Sequence, residues 1–276
     1  MRISLAHSPD SDDAFMFYSL ARGRVAAPGL EIEHVLTDIE TLNREALRGR
    51  HEVTAVSVHA YPYVADRYAL MPCGGSIGDG YGPLLVAREP TALSAVGAAT
   101  VAVPGTLTTA YLVLKLFAPE VTTRVVAFDR ILDEVSAGRA DLGLVIHEGQ
   151  LTFGQAGLHK VLDLGAWWKE ETGLPLPLGG NAVRRDLGPE LMAVLTRLVR
   201  ESVQHSLEHR DEALEYAMGF ARGMDPTVAD RFVGMWVNDM TLDCGPRGRQ
   251  AIQLLLDRGY EQGLVPHKVQ VDFVEA

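Results

Sequence analysis

The chain has 276 residues, 47% of them hydrophobic, and sets 25 Lys and Arg against 36 Asp and Glu, a formal net charge of −11. That balance argues against a nucleic-acid partner, because there is no basic stripe to release counterions from a phosphate backbone. An anionic small molecule would have to be held locally, by helix N-termini and backbone amides.

The length allows two lobes of ordinary domain size. Cys73 and Cys244 lie far apart, with no His or Cys cluster at metal spacing, so neither a disulfide framework nor a zinc site is expected. The N-terminus turns polar and acidic too early for a secretory core, and no run of about 18 apolar residues occurs. A cytoplasmic protein without a membrane contact is expected.

The first unit is a strand over 2–6, the turn Ser8-Pro9-Asp10-Ser11-Asp12-Asp13, and a helix over 14–22 stopped by Gly23. Ser11 or Asp12 can cap the helix, and the carboxylates suit its positive end. As a calcium loop the turn lacks the glycine and the distal glutamate. A second strand over 30–36 leads through Asp38 into a helix closed by Gly49, and a third strand over 53–57 ends on Ser57.

The glycines between Gly74 and Gly82 do not make a dinucleotide site, because they run into a strand over 84–88 rather than opening a helix. Val101 to Tyr111 reads as a strand, a Pro104-Gly105 turn and hydroxyl residues opening a helix to about 117. The free amides there, with Thr108 and Thr109, can cradle a carboxylate; plain N-capping by Thr106 or Thr108 is the alternative. From 129 to 147 the order of 38–57 recurs: an acidic helix start, a glycine stop and an apolar strand, this time ending on His147. Ser57 and His147 would then face each other across a cleft, unless two ordinary αβ units merely look alike.

His147 has two readings: a strand-end base working near neutral pH, or a structural imidazole bonded to a neighbouring carbonyl. Glu148 would point to the opposite face of the strand, which argues against its orienting the ring. Trp167 and Trp168 read either as a wall for a planar ligand or as core packers. The remaining chain reads as scaffold helices over 187–203, 211–220, 226–236 and 247–262, with a short extended piece at 238–242.

Taken together, these residues resemble the 1,4-dihydroxy-6-naphthoate synthases of the futalosine route to menaquinone. The likeness rests on Ser8-Pro9 with the acidic turn, Phe15 and Phe17-Tyr18, Glu40-Thr41-Leu42-Asn43-Arg44, Asp66-Arg67-Tyr68, and Val103-Pro104-Gly105 with Thr108-Thr109-Ala110-Tyr111. It continues through Ile146-His147-Glu148, Asp163 to Trp168 and Thr172 to Gly179. The resemblance implies an α/β, two-lobed, periplasmic-binding-protein-like fold of type 2 with a ligand cleft between the lobes. The lobes divide as 1–88 with 178–276, and 89–177. It implies a carbon–carbon lyase converting cyclic dehypoxanthine futalosine, a small carboxylate, to 1,4-dihydroxy-6-naphthoate, with no metal or redox cofactor. His147 matches the family's general base, and Asn43, Ser57, Thr108 and Thr109 match its substrate-binding residues. The turn departs from that of some family members: Asp10-Ser11-Asp12-Asp13-Ala14 stands where they carry Cys-Pro-Asn-Asp-Thr. Chorismate dehydratase of the same route, and a binding protein without chemistry, are the other expectations for such a chain.

Overall fold

The computed structural model describes residues 1–275. The chain begins β1 (Arg2–His7), α1 (Ser11–Ala21), β2 (Glu31–Leu36), α2 (Ile39–Ala46), β3 (Val53–Ser57), β4 (Tyr68–Leu70), β5 (Ser76–Gly78) and β6 (Leu84–Ala87). It continues β7 (Thr100–Val103), α3 (Thr109–Phe117), β8 (Thr122–Val125), α4 (Ile131–Ser136), β9 (Leu142–Val145), α5 (Gly149–Thr152), β10 (His159–Asp163), α6 (Leu164–Thr172) and β11 (Leu176–Arg184). The helices α7 (Pro189–Glu208), α8 (Arg210–Met218), α9 (Pro226–Trp236), α10 (Asp239–Leu242) and α11 (Gly245–Glu261) complete it.

Two sheets form. The first has the order β2-β1-β3-β11-β4, with β5 also on β11; the second has the order β10-β6-β9-β7-β8. Each contains the same unit. β1 lies parallel to β2 and β3, and β3 runs antiparallel to β11. In the second sheet β7 lies parallel to β8 and β9, and β9 runs antiparallel to β6. The recurrence read at 38–57 and 129–147 is therefore a repeated topology. In both units the strand order reverses around the first strand, which opens a crevice at the carboxyl ends of the strands.

The second sheet is covered on both faces, which explains its unbroken apolar strands. Leu85 and Ala87 of β6 face one cluster, with Val101, Leu144 and Trp168, while Leu84 and Val86 face another, with Ile131 and Val135 of α4. Gly143 lets α4 approach: a Cβ there would lie 2.8 Å from side-chain methyls of Ile131 and Val135. The first sheet packs Ile3, Leu5 and Val53 against Phe15 and Phe17 of α1 and the α7 stripe of Leu195, Val199 and Val203.

Three expectations change. Pairing of β6 with β9 and β10 puts Leu84–Ala87 in the second sheet, whereas a boundary at 88 leaves it with the first lobe. The helix after the acidic turn starts at Ser11, and its N-cap Asp10 makes no side-chain capping bond because that carboxylate is engaged elsewhere. Residues 238–242 are not extended: the Asn238 side chain caps α10 reciprocally with Thr241.

Candidate active site

The loops at the carboxyl ends of β1, β3 and β9, with the start of α3 after β7, line one cavity. Ser57 and His147 both line it, as do Thr108, Thr109, Asp10, Asp12 and Asp13.

His147 lies two residues beyond β9, at φ 59°, and Glu148 is already the N-cap of α5. The strand-face argument against Glu148 therefore does not apply, because the backbone has left the strand. His147 Nδ1 is 2.5 Å from Asp10 Oδ2, across the cleft in the first lobe. Asp10 is 2% exposed; its Oδ2 accepts from Ser8 Oγ at 2.7 Å and its Oδ1 from Arg222 Nη2 at 2.8 Å. Arg222 Nη1 in turn donates to Glu148 Oε1 at 2.5 Å. Phe128 closes one side, 4.7 Å from the imidazole and 4.8 Å from the guanidinium.

Among the described residues, His147 and Arg222 are the non-glycine positions with positive φ, and both belong to this group. Such backbone costs about 1–2 kcal/mol per residue and persists where tertiary contacts over-determine it. The structural reading of His147, a bond to a neighbouring carbonyl, is not what forms: Nδ1 is committed to a carboxylate, and Nε2 is buried without a protein partner.

Burial opposes charge on His147, but Asp10 outweighs it and pushes the imidazole up to about 9. Burial would likewise raise Asp10, yet His147, Ser8 and Arg222 hold it below the ordinary carboxylate value. Burial together with the neighbouring Asp13 and Asp10 raises Asp12, at the cavity wall, well above that value. Asp13 is raised by burial and by Asp10 to about 6, and its carboxylate accepts from Ser8 N.

The opposite wall is the start of α3. Thr108 is its N-cap: its hydroxyl accepts from Tyr111 N at 3.2 Å and donates to Gly105 O at 2.9 Å. Thr109 Oγ1 donates to Leu178 O at 2.5 Å and accepts from His59 N at 3.2 Å. Both hydroxyls are thus tied to the protein, and the capping reading of Thr108 is what forms. Asn43 is 0% exposed and does not line the cavity. It accepts from Ser57 N at 2.8 Å and donates to Ser57 Oγ at 3.0 Å and to Leu107 O at 3.4 Å, so it braces Ser57 and the segment before Thr108. Glu40 ties the lobes together, accepting from Leu107 N at 3.1 Å beside Gly105, where a Cβ would come within 2.6 Å of its side chain.

Three polar residues lay outside the sequence reading. Arg222 sits in a short break between α8 and α9, with no local signal of a site. Gln150 and Asn181 line the cavity at 5% and 1% exposure. Their amide nitrogens donate to Gly82 O and Gly74 O, leaving Oε1 and Oδ1 without protein partners. Trp167 and Trp168 lie outside the cavity. Trp168 is fully buried with Nε1 bonded to Pro175 O, and Trp167 packs on Phe117, so both are core packers. Among the described residues, no group of three or more His, Cys, Asp or Glu is placed to hold a metal.

Two α/β lobes with a cavity between their strand ends define the periplasmic-binding-protein-like class. The alkanesulfonate-binding protein of Xanthomonas axonopodis shares this fold with a TM-score of 0.73 at 13% identity, covering 98% of this chain and 96% of that one. A crystal structure of an Archaeoglobus fulgidus protein is far more similar, with a TM-score of 0.92 and 46% identity over 96% and 98% of the two chains. Residues 3–261 match the model of a menaquinone biosynthesis family, and the chain belongs to that family. Its relatives include the 1,4-dihydroxy-6-naphtoate synthases of Thermus thermophilus, 45% identical over 95% of each chain, and Streptomyces coelicolor, 42% identical over 96% of this chain and 95% of that one.

Proposed function

We propose that this protein converts cyclic dehypoxanthine futalosine to 1,4-dihydroxy-6-naphthoate, a carbon–carbon lyase step of menaquinone biosynthesis, with His147 as general base. The observation that carries the reading is a histidine lining the cleft, with Nδ1 on Asp10 and Nε2 without a protein partner, in a chain whose full-length relatives bear that synthase name.

The substrate carboxylate docks on the first turn of α3, where the helix dipole and free amides favour an anion. Ser57, held at both its N and Oγ by Asn43, contacts the ligand from the other lobe. With Nδ1–H directed at Asp10, neutral His147 presents Nε2 and takes a proton from carbon. The electron pair released completes the aromatic ring as the bond to the sugar-derived fragment breaks, and that fragment departs with the bonding pair and is protonated. The step is redox-neutral, and its main demands are positioning and exclusion of water. Two free, buried cysteines accord with action in the reducing cytoplasm, and no helix among the described residues is long and apolar enough to cross a membrane.

The test is incubation of wild type and His147→Asn with cyclic dehypoxanthine futalosine, following 1,4-dihydroxy-6-naphthoate by absorbance and mass spectrometry. Product from wild type, with a loss of about 100-fold or more in the variant, supports both assignments. Substrate recovered intact from protein that binds it would overturn the reaction and leave a binding protein; turnover of chorismate instead would indicate the dehydratase.

A further inference from the structure

The base and the group that orients it come from different lobes. His147 follows β9 of the second sheet, Asp10 follows β1 of the first, and Nδ1 and Oδ2 meet at 2.5 Å. A second bridge runs beside the first: Arg222, from the break before α9 in the first lobe, holds Asp10 and also Glu148, the residue after His147. We propose that Asp10 and Arg222 are positioning residues that complete the base only when the cleft is shut, so that lobe closure and catalytic competence are one event. The inference rests on His147 being the base, and deepens that reading.

Two observations support it. Asp10 has no slack: at 2% exposure its two oxygens are divided among Ser8, His147 and Arg222. Both residues of the double bridge that follow irregular backbone, His147 and Arg222, adopt positive φ, as expected where tertiary contacts impose the conformation. Opening the cleft would part Asp10 from His147 and Arg222 from Glu148, leaving an imidazole without its tautomer-fixing partner.

The charged groups around the imidazole dictate the test. Asp10, Asp12 and Glu148 favour its protonation, while burial opposes it; Arg222, bonded to Asp10 and Glu148, works against a second positive charge nearby. Removing Asp10 and removing Arg222 should therefore move the histidine in opposite directions, which loss of packing would not do.

The experiment titrates the imidazole by NMR in ring-labelled wild type, Asp10→Asn and Arg222→Gln, with His147→Asn used to assign the resonance. The pH profile of kcat/KM is recorded beside it. Expected are a wild-type midpoint above the ordinary histidine value, a fall of one pH unit or more (about tenfold in proton affinity) in Asp10→Asn, and a rise in Arg222→Gln. The kinetic profile should shift the same way, with the high-pH plateau of Asp10→Asn at least about tenfold lower and KM changing less than kcat. A wild-type midpoint at or below the ordinary value overturns the proposal even if the variants fail to fold. So does an unmoved midpoint in folded Asp10→Asn, or a common direction in both variants. Shifts by NMR in a wild-type protein that forms no product would leave the pairing intact and overturn the reaction.

Discussion

Asp10 favours the imidazolium form of His147 and pushes it up to about 9. A base must be neutral, so only a small fraction of the protein is competent at pH 7. The neutral form is correspondingly strong when it appears. Wild-type kcat/KM should accordingly rise about tenfold per pH unit from ~pH 6 and level near 9; a profile flat above ~pH 7 would contradict this state of the histidine. Burial and the neighbouring carboxylates raise Asp12 well above the ordinary carboxylate value and so favour its protonated form. Asp12→Asn, which mimics that form, should keep kcat/KM within about threefold in steady-state assays at neutral pH. Asn43 braces Ser57 and also bonds Leu107 O, so Asn43→Ala should lower stability by about 1–3 kcal/mol in urea melts, the cost of stranding a buried Ser57 amide, and should lower kcat/KM by displacing that hydroxyl.

Elements set the site by where they stop. The third strand of each repeated unit delivers one cleft residue, Ser57 after α2 and β3, His147 after α4 and β9. Placement of β9 depends on α4 lying close over Gly143. Gly143→Val should overpack that contact, costing about 1–3 kcal/mol and lowering kcat through the displaced His147 loop. Trp168 tests the opposite case, since it supports α6 and β11 without reaching the cavity. Trp168→Ala should cost about 3–5 kcal/mol while leaving KM of the remaining folded protein nearly unchanged; a large rise in KM would restore the ligand-wall reading.

For the whole molecule, the cross-cleft pair links stability to pH. His147 has a raised value in the folded state, so its stabilisation is complete below its ordinary value of 6.5 and is lost as pH rises through about 9. Asp10 has a lowered value, so its share is present above 3.8 and is lost as pH falls toward about 2. The deficit in Tm of His147→Asn relative to wild type should therefore shrink between ~pH 7 and ~pH 10; a constant deficit would mean that the ion pair does not contribute to the folded state.

Local physical chemistry wrote the strands, the helix starts and the recurring αβ order into the chain, because apolar periodicity and capping act over a few residues. On that basis β1, β3, α3 and α9, the N-cap at Thr108, and the placing of Ser57 and His147 at strand ends on one cavity were legible. What tertiary structure alone decided was pairing between distant segments. β6 read as the end of one lobe until β9 and β10 claimed it. Asn43 matched a ligand residue by pattern, and packing placed it behind Ser57. Asp10 and Arg222 lie 212 positions apart and carry no joint signal, yet both close on His147 and its neighbour. Which charge meets which across a cleft depends on how two sheets stack, a sum over many long-range contacts that no short window of sequence contains.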